Sequence, residues 1–321
     1  MFVPCIVFYL NFYKSRPLKP WYERSGLHNM TIQWFPGHMA KAKRQAIENR
    51  NMVDIVLELV DSRIPESSRN PLMDEIVNNK PRLVIMNKAD LADRTRTEEW
   101  LTHFNQSEKN QQAIAIDAFS HSDITRTKKI IKEMMAEKMA IRKQKGMKPR
   151  AIRLMVLGIP NVGKSTFINQ MIKKNRAKTA NKPGVTQQQQ WLKIENDFEL
   201  LDTPGILWHK FEDQKVGVKL ALTGAIKDAL FHKDDIALYA LDFFIHTYPG
   251  RIKEAYHLSE DMTDKTYPEL LMELTTHLNF GDDFDRASEK LIFDIRDGKL
   301  GAYTLDEVPV EPEETKVSGN E

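Results

Sequence analysis

The stretch GIPNVGKST, from Gly158 to Thr166, has the residue types and spacing of a loop that binds phosphate groups. Gly158 and Gly163 would let the backbone wrap closely enough for its N–H groups to surround the phosphates. Lys164 would bring a cation to the β and γ phosphates of a nucleotide, and Ser165 a hydroxyl group to Mg²⁺. The predicted ligands in this loop are Asn161, Val162, Gly163, Lys164, Ser165 and Thr166.

A second motif, DTPG from Asp202 to Gly205, ends the second strand predicted after this loop. Asp202 can hold Mg²⁺ through a water molecule, and the Gly205 N–H can bond a γ-phosphate. Glycine lets that backbone swing when the phosphate leaves. Between the two motifs, KPGVT offers Thr186 as a second hydroxyl ligand of Mg²⁺, the alternative being that Thr186 is an ordinary loop residue.

A third motif, NKAD from Asn87 to Asp90, has the composition of a loop that reads guanine. The Asp90 carboxylate can accept hydrogen bonds from guanine N1–H and the 2-amino group, whereas adenine offers neither donor and would leave the carboxylate unpaired. We expect Asn87 to brace the loop and Lys88 to lay its stem along the base. Ala118, in IDAF, would present its backbone N–H to guanine O6.

The base-reading motif precedes the phosphate loop, which reverses the order found in most GTPases. Rotating the ordinary order produces this arrangement, and a long charged helix predicted from about Ile124 to Lys145 would join the two parts. The sheet can still close, because the ends of a compact domain usually lie close together. After Gly205 the chain would leave the sheet, so movement of this segment would pull on whatever follows it.

Strands that alternate with helices predict an α/β fold. We expect a circularly permuted P-loop GTPase domain with a mostly parallel sheet, followed by a small all-α C-terminal domain. Buried strands are predicted within MVDIVLELVDSRIP, PRLVIMNKADL, QQAIAIDAFS and AIRLMVLG, and a hairpin within WLKIENDFELLDTPG. Helical spacing relates Leu270, Leu271, Leu274 and Leu278, then Leu291, Ile292 and Ile295, and more loosely Val216, Leu220, Ile226 and Leu230.

These elements predict domain boundaries. Residues 30–210 would form the permuted GTPase domain and residues 211–308 the helical domain, with a disordered acidic tail at 309–321. Residues 1–29 open on an apolar run followed by cations, without the small-residue cleavage site of a secretory signal. We therefore expect Met30 to be the natural start and residues 1–29 to be an upstream extension.

Composition narrows the class of protein. With 41% apolar and 29% charged residues in a chain of 321, two domains could each bury a core. One cysteine, Cys5, excludes a disulfide framework and suits a reducing cytoplasm. There is no run of 18 apolar residues, so no membrane span is expected.

Charge is unevenly distributed along the chain. Residues 206–321 carry 13 Lys and Arg against 24 Asp and Glu, whereas residues 1–205 carry 34 against 21. A basic half indicates a polyanionic partner such as RNA. Cations are densest near the end of the long helix, at Arg142, Lys143, Lys145, Lys148 and Arg150, and in MAKAKR, with Lys41, Lys43 and Arg44. The alternative is that an exposed helix is basic for solubility alone.

Taken in sequence, WFPGHMAKA, DSRIP, NKAD, GIPNVGKST, KPGVTQ and DTPGILW resemble the ribosome biogenesis GTPase A family of circularly permuted GTPases over residues 30 to about 305. The resemblance implies a bacterial cytoplasmic factor that binds GTP and GDP and contacts ribosomal RNA on the maturing large ribosomal subunit. It also implies that GTP is hydrolysed when assembly is correct. We expect a monomer that does not bind membranes.

Two further residues follow from comparison with related GTPases. Ile206 stands where many GTPases carry the glutamine that orients the attacking water. The resemblance offers His38 of PGHM as a substitute, since a neutral imidazole can accept from water; alternatively, His38 only contacts RNA or packs locally. Asn161 matches the pattern of GTPases stimulated by K⁺, although it could equally be a loop residue that tolerates a turn.

Two other functions remain open from the sequence. The isoleucine at position 206 is compatible with a nucleotide-switched binding module that hardly hydrolyses GTP. A permuted GTPase that acts on the small subunit or on tRNA would carry the same nucleotide motifs, and only the helical domain would distinguish it.

Overall fold

The computed structural model describes residues 37–107, 109–172, 190–194, 196–202, 213–258 and 265–309, with the backbone alone at 37–42, 190, 191 and 202. A six-stranded sheet lies at its centre. The strands are β1 Ile55–Asp61, β2 Arg82–Asn87, β3 Gln111–Ile116, β4 Ile152–Leu157, β5 Gln190–Ile194 and β6 Phe198–Asp202. The helices are α1 Gly37–Asn49, α2 Leu72–Val77, α3 Arg94–Ser107, α4 His121–Gln144, α5 Lys164–Ile172, α6 Gln214–Leu222, α7 Lys233–Thr247, α8 Arg251–Tyr256, α9 Tyr267–His277 and α10 Phe284–Arg296.

The strand order is β3-β2-β1-β4-β6-β5, and every pair is parallel except β5 with β6. The predicted mostly parallel sheet is therefore confirmed, as is the hairpin. Strands β1 and β4 pair in the middle, with Ile55 opposite Leu154 and Glu58 opposite Leu157. This pairing joins the two chain segments whose order is reversed.

The central strands are apolar because helices cover both faces of the sheet. All residues of β1 and β2 are buried, whereas β3, at the edge, alternates between buried and more exposed positions. On one face Val60 and Val84 pack against Trp100 of α3, and on the other Ile55 belongs to the core that includes Ile131 of α4. The core on this second face continues into the helical region.

Helix α4 makes the connection that the permutation requires. It begins at His121, three residues before the predicted start, because the Ser120 side chain accepts a hydrogen bond from the Asp123 N–H at 3.3 Å. Its buried face includes Ile131 and Met135. The helix thus leads from the edge strand β3 back to the central strand β4, as predicted.

One helical expectation is wrong. Helix α6 ends at Leu222, so Ile226 lies beyond it, and Leu230 closes a short 3₁₀ turn with 38% of its surface exposed. The reason is Gly224, which has a φ of +81° and ends the helix while the Ala225 N–H donates to the Leu220 carbonyl at 2.8 Å. Four apolar residues at loose helical spacing could not reveal this stop.

The C-terminal strap, residues 301–309, returns from the helices to the sheet domain. The Leu305 N–H donates to the Arg63 carbonyl at 2.7 Å, and the Tyr303 N–H to the Leu91 carbonyl at 3.1 Å. Buried Asp306 accepts the Ser67 N–H and the Ser67 hydroxyl, both at 2.7 Å. The predicted domain boundaries, including the start of the acidic tail, remain predictions.

The helical region buries the residues whose spacing predicted it. Leu270, Leu271 and Leu274 of α9 are buried, as are Leu291, Ile292 and Ile295 of α10, while Leu278 is half-buried. Helix α9 begins with a reciprocal cap between Thr266 and Glu269. Among the helices of the described ranges, none has the length and apolarity to cross a bilayer.

Candidate functional site

The phosphate loop runs from the end of β4 to the first residue of α5, as its motif predicts. A side chain at Gly158 would place its Cβ 2.5 Å from the Leu59 carbonyl oxygen, and one at Gly163 would place it 2.2 Å from Asn87 Nδ2. Both glycines also have positive φ, of +151° and +94°. Only glycine fits these two positions, because the loop is pressed against strand β1 and against the base-reading segment.

Asn87 holds three loops together. Its Nδ2 donates to the Val162 carbonyl in the phosphate loop at 2.8 Å, and its Oδ1 accepts the Ala118 N–H at 3.1 Å. Buried at the end of β2, this side chain therefore locks the base-reading loop to the two loops beside it. The Ala118 N–H would have to be shared between Asn87 and guanine O6 to make the contact that the sequence predicts.

Lys88 joins an ion cluster that the sequence analysis did not identify. Its Nζ lies 2.8 Å from Asp61 Oδ2. Arg63 donates two hydrogen bonds to the same carboxylate, from Nε to Oδ1 at 3.0 Å and from Nη2 to Oδ2 at 2.8 Å. Burial by itself raises the pKa of Asp61, but the charges of Arg63 and Lys88 outweigh it and hold that pKa well below the ordinary value. Burial lowers the pKa of Lys88. The sequence signal that could have identified Asp61 is an acid at the end of a buried strand, next to the strand that carries the base-reading motif.

Asp90 keeps its carboxylate exposed. Partial burial, with repulsion from Asp117, raises its pKa. It lines a pocket of about 520 Å³ together with phosphate-loop residues. The pocket is lined by Arg63, Asn87, Lys88, Asp90, Leu91, Asp117, Ala118, Phe119, Asn161, Gly163, Thr166, Thr223, Gly224, Phe293, Arg296 and Asp297. Two segments in reversed order thus contribute to one cavity.

Lys164 lies across the phosphate loop. Its Nζ donates to the carbonyls of Gly158 at 3.1 Å and Ile159 at 2.7 Å, and the side chain is buried. The ammonium group is therefore held at the loop by its own backbone. Val162 is a buried residue of the loop. Ser165 and Thr166 lie in the first turn of α5.

Several predicted site residues lie where the structure says little or nothing. Thr186, Gly205 and Ile206 are outside the described residues, and Asp202 and His38 are described by backbone alone. Asp202 is the last residue of β6 and pairs with Val156 of β4. Val156 lies two residues before Gly158 in the chain. His38 lies in the first turn of α1. No cluster of three or more His, Cys, Asp or Glu that could hold a metal occurs among the described residues.

The phosphate loop is also tied to the helical region at the end of α6. Asn161, with a φ of +61°, donates from Nδ2 to the Gly224 carbonyl at 2.7 Å. Arg296 of α10 donates to the carbonyls of Ala221 at 2.7 Å and Leu222 at 3.0 Å. The left-handed turn at Asn161 is thus observed, and its amide nitrogen is used in the contact with Gly224 at the end of α6.

The basic end of α4 separates into paired and unpaired cations. Arg150 forms a bidentate pair with Asp54, at 2.7 and 3.0 Å, and Lys138 lies 3.0 Å from the same carboxylate. Lys143, Lys145 and Lys148 are exposed and make no ion pair within the described ranges. Arg142, Lys143 and Lys148 line an open cleft of about 530 Å³ with Arg150.

Known proteins resemble this chain closely. Residues 153–272 match the family described as "50S ribosome-binding GTPase". The chain is 49% identical to ribosome biogenesis GTPase A of Bacillus cereus over 286 residues, which covers 86% of this chain and 94% of that protein. The protein of the same name from Priestia megaterium is 49% identical over 295 residues, 89% of this chain and 99% of that one.

Solved structures share the fold. YlqF from T. maritima, in its GNP-bound crystal structure, superposes with a TM-score of 0.57 at 22% identity, covering 83% of this chain and 97% of that chain. Its GDP-bound structure gives a TM-score of 0.59, also at 22% identity, with 82% and 98% covered. The relatives show the family and the structures show the fold. The chain belongs to the ribosome biogenesis GTPase A family and is a GTPase of ribosome biogenesis.

Proposed function

We propose that this GTPase acts in the cytoplasm and binds the maturing large ribosomal subunit through the rRNA of that subunit. Hydrolysis of GTP would be coupled to release of the GTPase from the subunit or to an assembly checkpoint. The observation that carries the proposal is the group of exposed, unpaired lysines at the end of α4. All three of Lys143, Lys145 and Lys148 are exposed, and Lys143 and Lys148 line a cleft on the surface. Exposed lysines of this kind neutralise phosphates without reading sequence.

The paired cations support this division of labour. Arg150 and Lys138 pair with buried Asp54, and Lys132 lies 2.6 Å from Asp197, so these cations already have partners within the protein. On α1, Lys43 pairs with Glu75 at 2.7 Å. Lys143, Lys145 and Lys148 make no ion pair within the described residues, and they are the ones proposed to contact RNA.

At the nucleotide, Asp90 and Lys88 would hold the guanine base, and the loop from Asn161 to Thr166 the phosphates. Ser165, Thr186 and Asp202 are proposed to hold Mg²⁺, which supplies positive charge to the β and γ phosphates when bound. The position of Ser165 in the first turn of α5, with the backbone of Asp202 on the strand next to β4, fits this set.

The side chain of His38 is proposed to accept a proton or hydrogen bond from the attacking water, because Ile206 cannot do so. Asn161 is proposed to offer its Oδ1 to a K⁺ ion beside the phosphates, while its Nδ2 stays on Gly224. Such an ion would add the positive charge that an arginine supplies in other GTPases. Gly205 would bond the γ-phosphate.

The test is a multiple-turnover GTPase assay with purified large or small subunits, in K⁺ and in Na⁺. We expect stimulation by large subunits in K⁺. The His38→Ala variant should then lose turnover while it retains GTP affinity. His209→Ala serves as the matched control, because His209 follows DTPGILW in the sequence and is expected to be an exposed loop residue without a catalytic role. Turnover that survives in His38→Ala with subunits present would reject the role of His38.

A second candidate function is a nucleotide-switched placeholder on RNA that hardly hydrolyses GTP. The observation that favours it is Ile206, in place of a water-orienting glutamine. The same assay separates the two functions, because no stimulation by either subunit would favour the placeholder. If small subunits alone stimulate hydrolysis, the proposed site of action becomes the small subunit. Sequencing of crosslinked RNA would then identify the RNA that the protein contacts.

A further inference from the structure

Two aromatic side chains stand uncovered in the pocket that contains Asp90. Phe119 is 76% exposed and Phe293 is 59% exposed, whereas the next most exposed large apolar side chain in the described ranges is Met147 at 46%. Both phenylalanines line the same cavity of about 520 Å³. Exposed apolar groups that converge on one cavity indicate a binding surface.

Neither ring contributes to a core. On α10, Leu291, Ile292 and Ile295 are buried, and Phe293 lies between them on the outward face. Arg296, one turn further along, fixes this helix by donating to the carbonyls that end α6. Phe293 therefore projects from a rigid element whose packing does not use it.

Phe119 comes from the other side of the pocket. It follows Ala118 in the loop after β3, and its N–H donates to Asp117 Oδ1 at 2.8 Å. The two rings thus belong to different parts of the molecule, one to the sheet domain and one to the helical region. A ligand that contacts both would bridge these parts.

We propose that Phe293 and Phe119 form apolar walls around the base and ribose of the bound guanine nucleotide, so that the helical region supplies part of the base site. This inference rests on the assignment of the pocket to the guanine nucleotide. Asp90 can hydrogen-bond only the edge of the purine, and the stem of Lys88 is expected along one face, so the rest of the base and the ribose remain to be covered. Aromatic rings stack on such faces with little dependence on the base.

Contact with Phe293 would make α10 sensitive to whether a nucleotide occupies the pocket. The base and ribose are common to GDP and GTP, so both nucleotides would hold α10 more firmly in the place that it already occupies beside the pocket. The helical region would then respond to whether the pocket is filled, independently of the γ-phosphate. Hydrogen exchange within α10 should slow to a similar degree with GDP and with a non-hydrolysable GTP analogue.

The direct test is calorimetric titration of GDP into the full chain and its variants. Phe293→Ala should weaken GDP binding about tenfold, equivalent to about 1.4 kcal/mol. The GTP analogue should lose the same factor, and Phe293→Trp should restore binding. Phe119→Ala should also weaken both nucleotides. Leu230→Ala is the matched control, because Leu230 is exposed in the helical region and does not line the pocket.

The outcomes separate the two proposals. If Phe293→Ala changes GDP affinity by less than about twofold, while Asp90→Asn still shifts preference to xanthosine diphosphate, the stacking role is overturned and the guanine pocket stands. If Asp90→Asn leaves guanine preference unchanged, the assignment of the pocket itself fails. Unchanged melting temperatures of the apo variants would show that neither result comes from unfolding.

Discussion

The two ends of strand β1 carry the same chemistry for different purposes. Asp54 immediately precedes the strand and Asp61 ends it, and both carboxylates are buried. Asp54 is paired with Arg150 and Lys138, and Asp61 with Arg63 and Lys88. Each acid thus binds two cations, but the cations come from different parts of the chain.

At the amino end of β1, the partners of Asp54 belong to α4 and to the connection that leads into β4. The Arg153 N–H also donates to Asp54, at 3.0 Å. This cluster fastens the segment that joins the reversed halves of the domain. At the carboxyl end, the partners of Asp61 belong to the loops that line the nucleotide pocket, which is where open α/β sheets bind their ligands.

The difference teaches that a buried ion pair does not itself indicate a site. One cluster is expected to affect stability alone and the other both stability and nucleotide binding. Asp90 is a third acid, which lines the pocket and is exposed to solvent. Nucleotide binding, but not stability, should therefore depend on it. Substitution of these three residues would test the division directly.

The largest effect is expected from Asp90→Asn. The amide keeps Oδ1 as the acceptor for N1–H but loses the acceptor for the guanine 2-amino group, and its NH₂ group would instead donate to the 2-carbonyl of xanthine. The preference for guanosine over xanthosine nucleotides should fall by about 10⁴-fold, as in sites built around a hydrogen-bonded group. Competition between GDP and xanthosine diphosphate measures this, with no change in melting temperature expected. A fall in stability instead would show that Asp90 belongs to the structural acids.

Asp61→Ala should have the next largest effect, on two measurements at once. Removal of the carboxylate leaves Arg63 and Lys88 without their shared partner, which costs about 3–5 kcal/mol of unfolding free energy for a buried pair. Lys88 would also lose the contact that places it at the pocket, so GDP binding should weaken about tenfold or more. Chemical denaturation and calorimetry measure the two effects. A variant that loses stability but retains full GDP affinity would remove the distinction between the two ends of β1.

The smallest effect is expected from Asp54→Asn and depends on pH. Burial raises the pKa of Asp54, but bonds from Arg150, the Arg153 N–H and Lys138 lower it from 3.8 to about 2. Because the folded pKa is the lower one, the ionised carboxylate stabilises the fold above pH 3.8, by about 2 kcal/mol. That contribution is lost as the pH falls through about 2.

The measurement is the unfolding free energy of the wild type and of Asp54→Asn across this range. The difference between them should be about 2 kcal/mol at neutral pH and should shrink as the pH falls from 3.8 toward 2. GDP affinity at neutral pH should not change. A difference that stays constant with pH would mean that the charge of Asp54 is not what stabilises the connection.

Sequence patterns predicted the elements well where the physical signal is local. The apolar run of β1 and the glycines of the phosphate loop are such signals, since burial and backbone geometry act on neighbouring residues. The stop of α6 at Gly224 was missed because the apolar spacing continues past it. The C-terminal strap was missed because its bonds to Ser67 and Arg63 join residues more than 200 positions apart.

The candidate site divides in the same way. The spacing within NKAD and GIPNVGKST predicted Asn87, Asp90 and Lys164 by residue type. The pairing of Asp61 with Lys88 and the place of Phe293 in the pocket were missed, because each brings together segments that are distant in the sequence, although Arg63 lies only two residues from Asp61. The roles assigned to His38, Thr186 and Gly205 remain predictions.

The amino-acid sequence by itself determined that this chain carries a phosphate loop, a guanine-reading motif and a permuted order of strands, because each depends on residue types at short spacing. Only the tertiary structure decided which cations pair with Asp54 and which with Asp61, since ion pairing depends on which cations packing brings within reach. It also decided that Phe293 of the helical region lines the same pocket as Asp90, because the core that places α10 is built from residues far apart in the sequence.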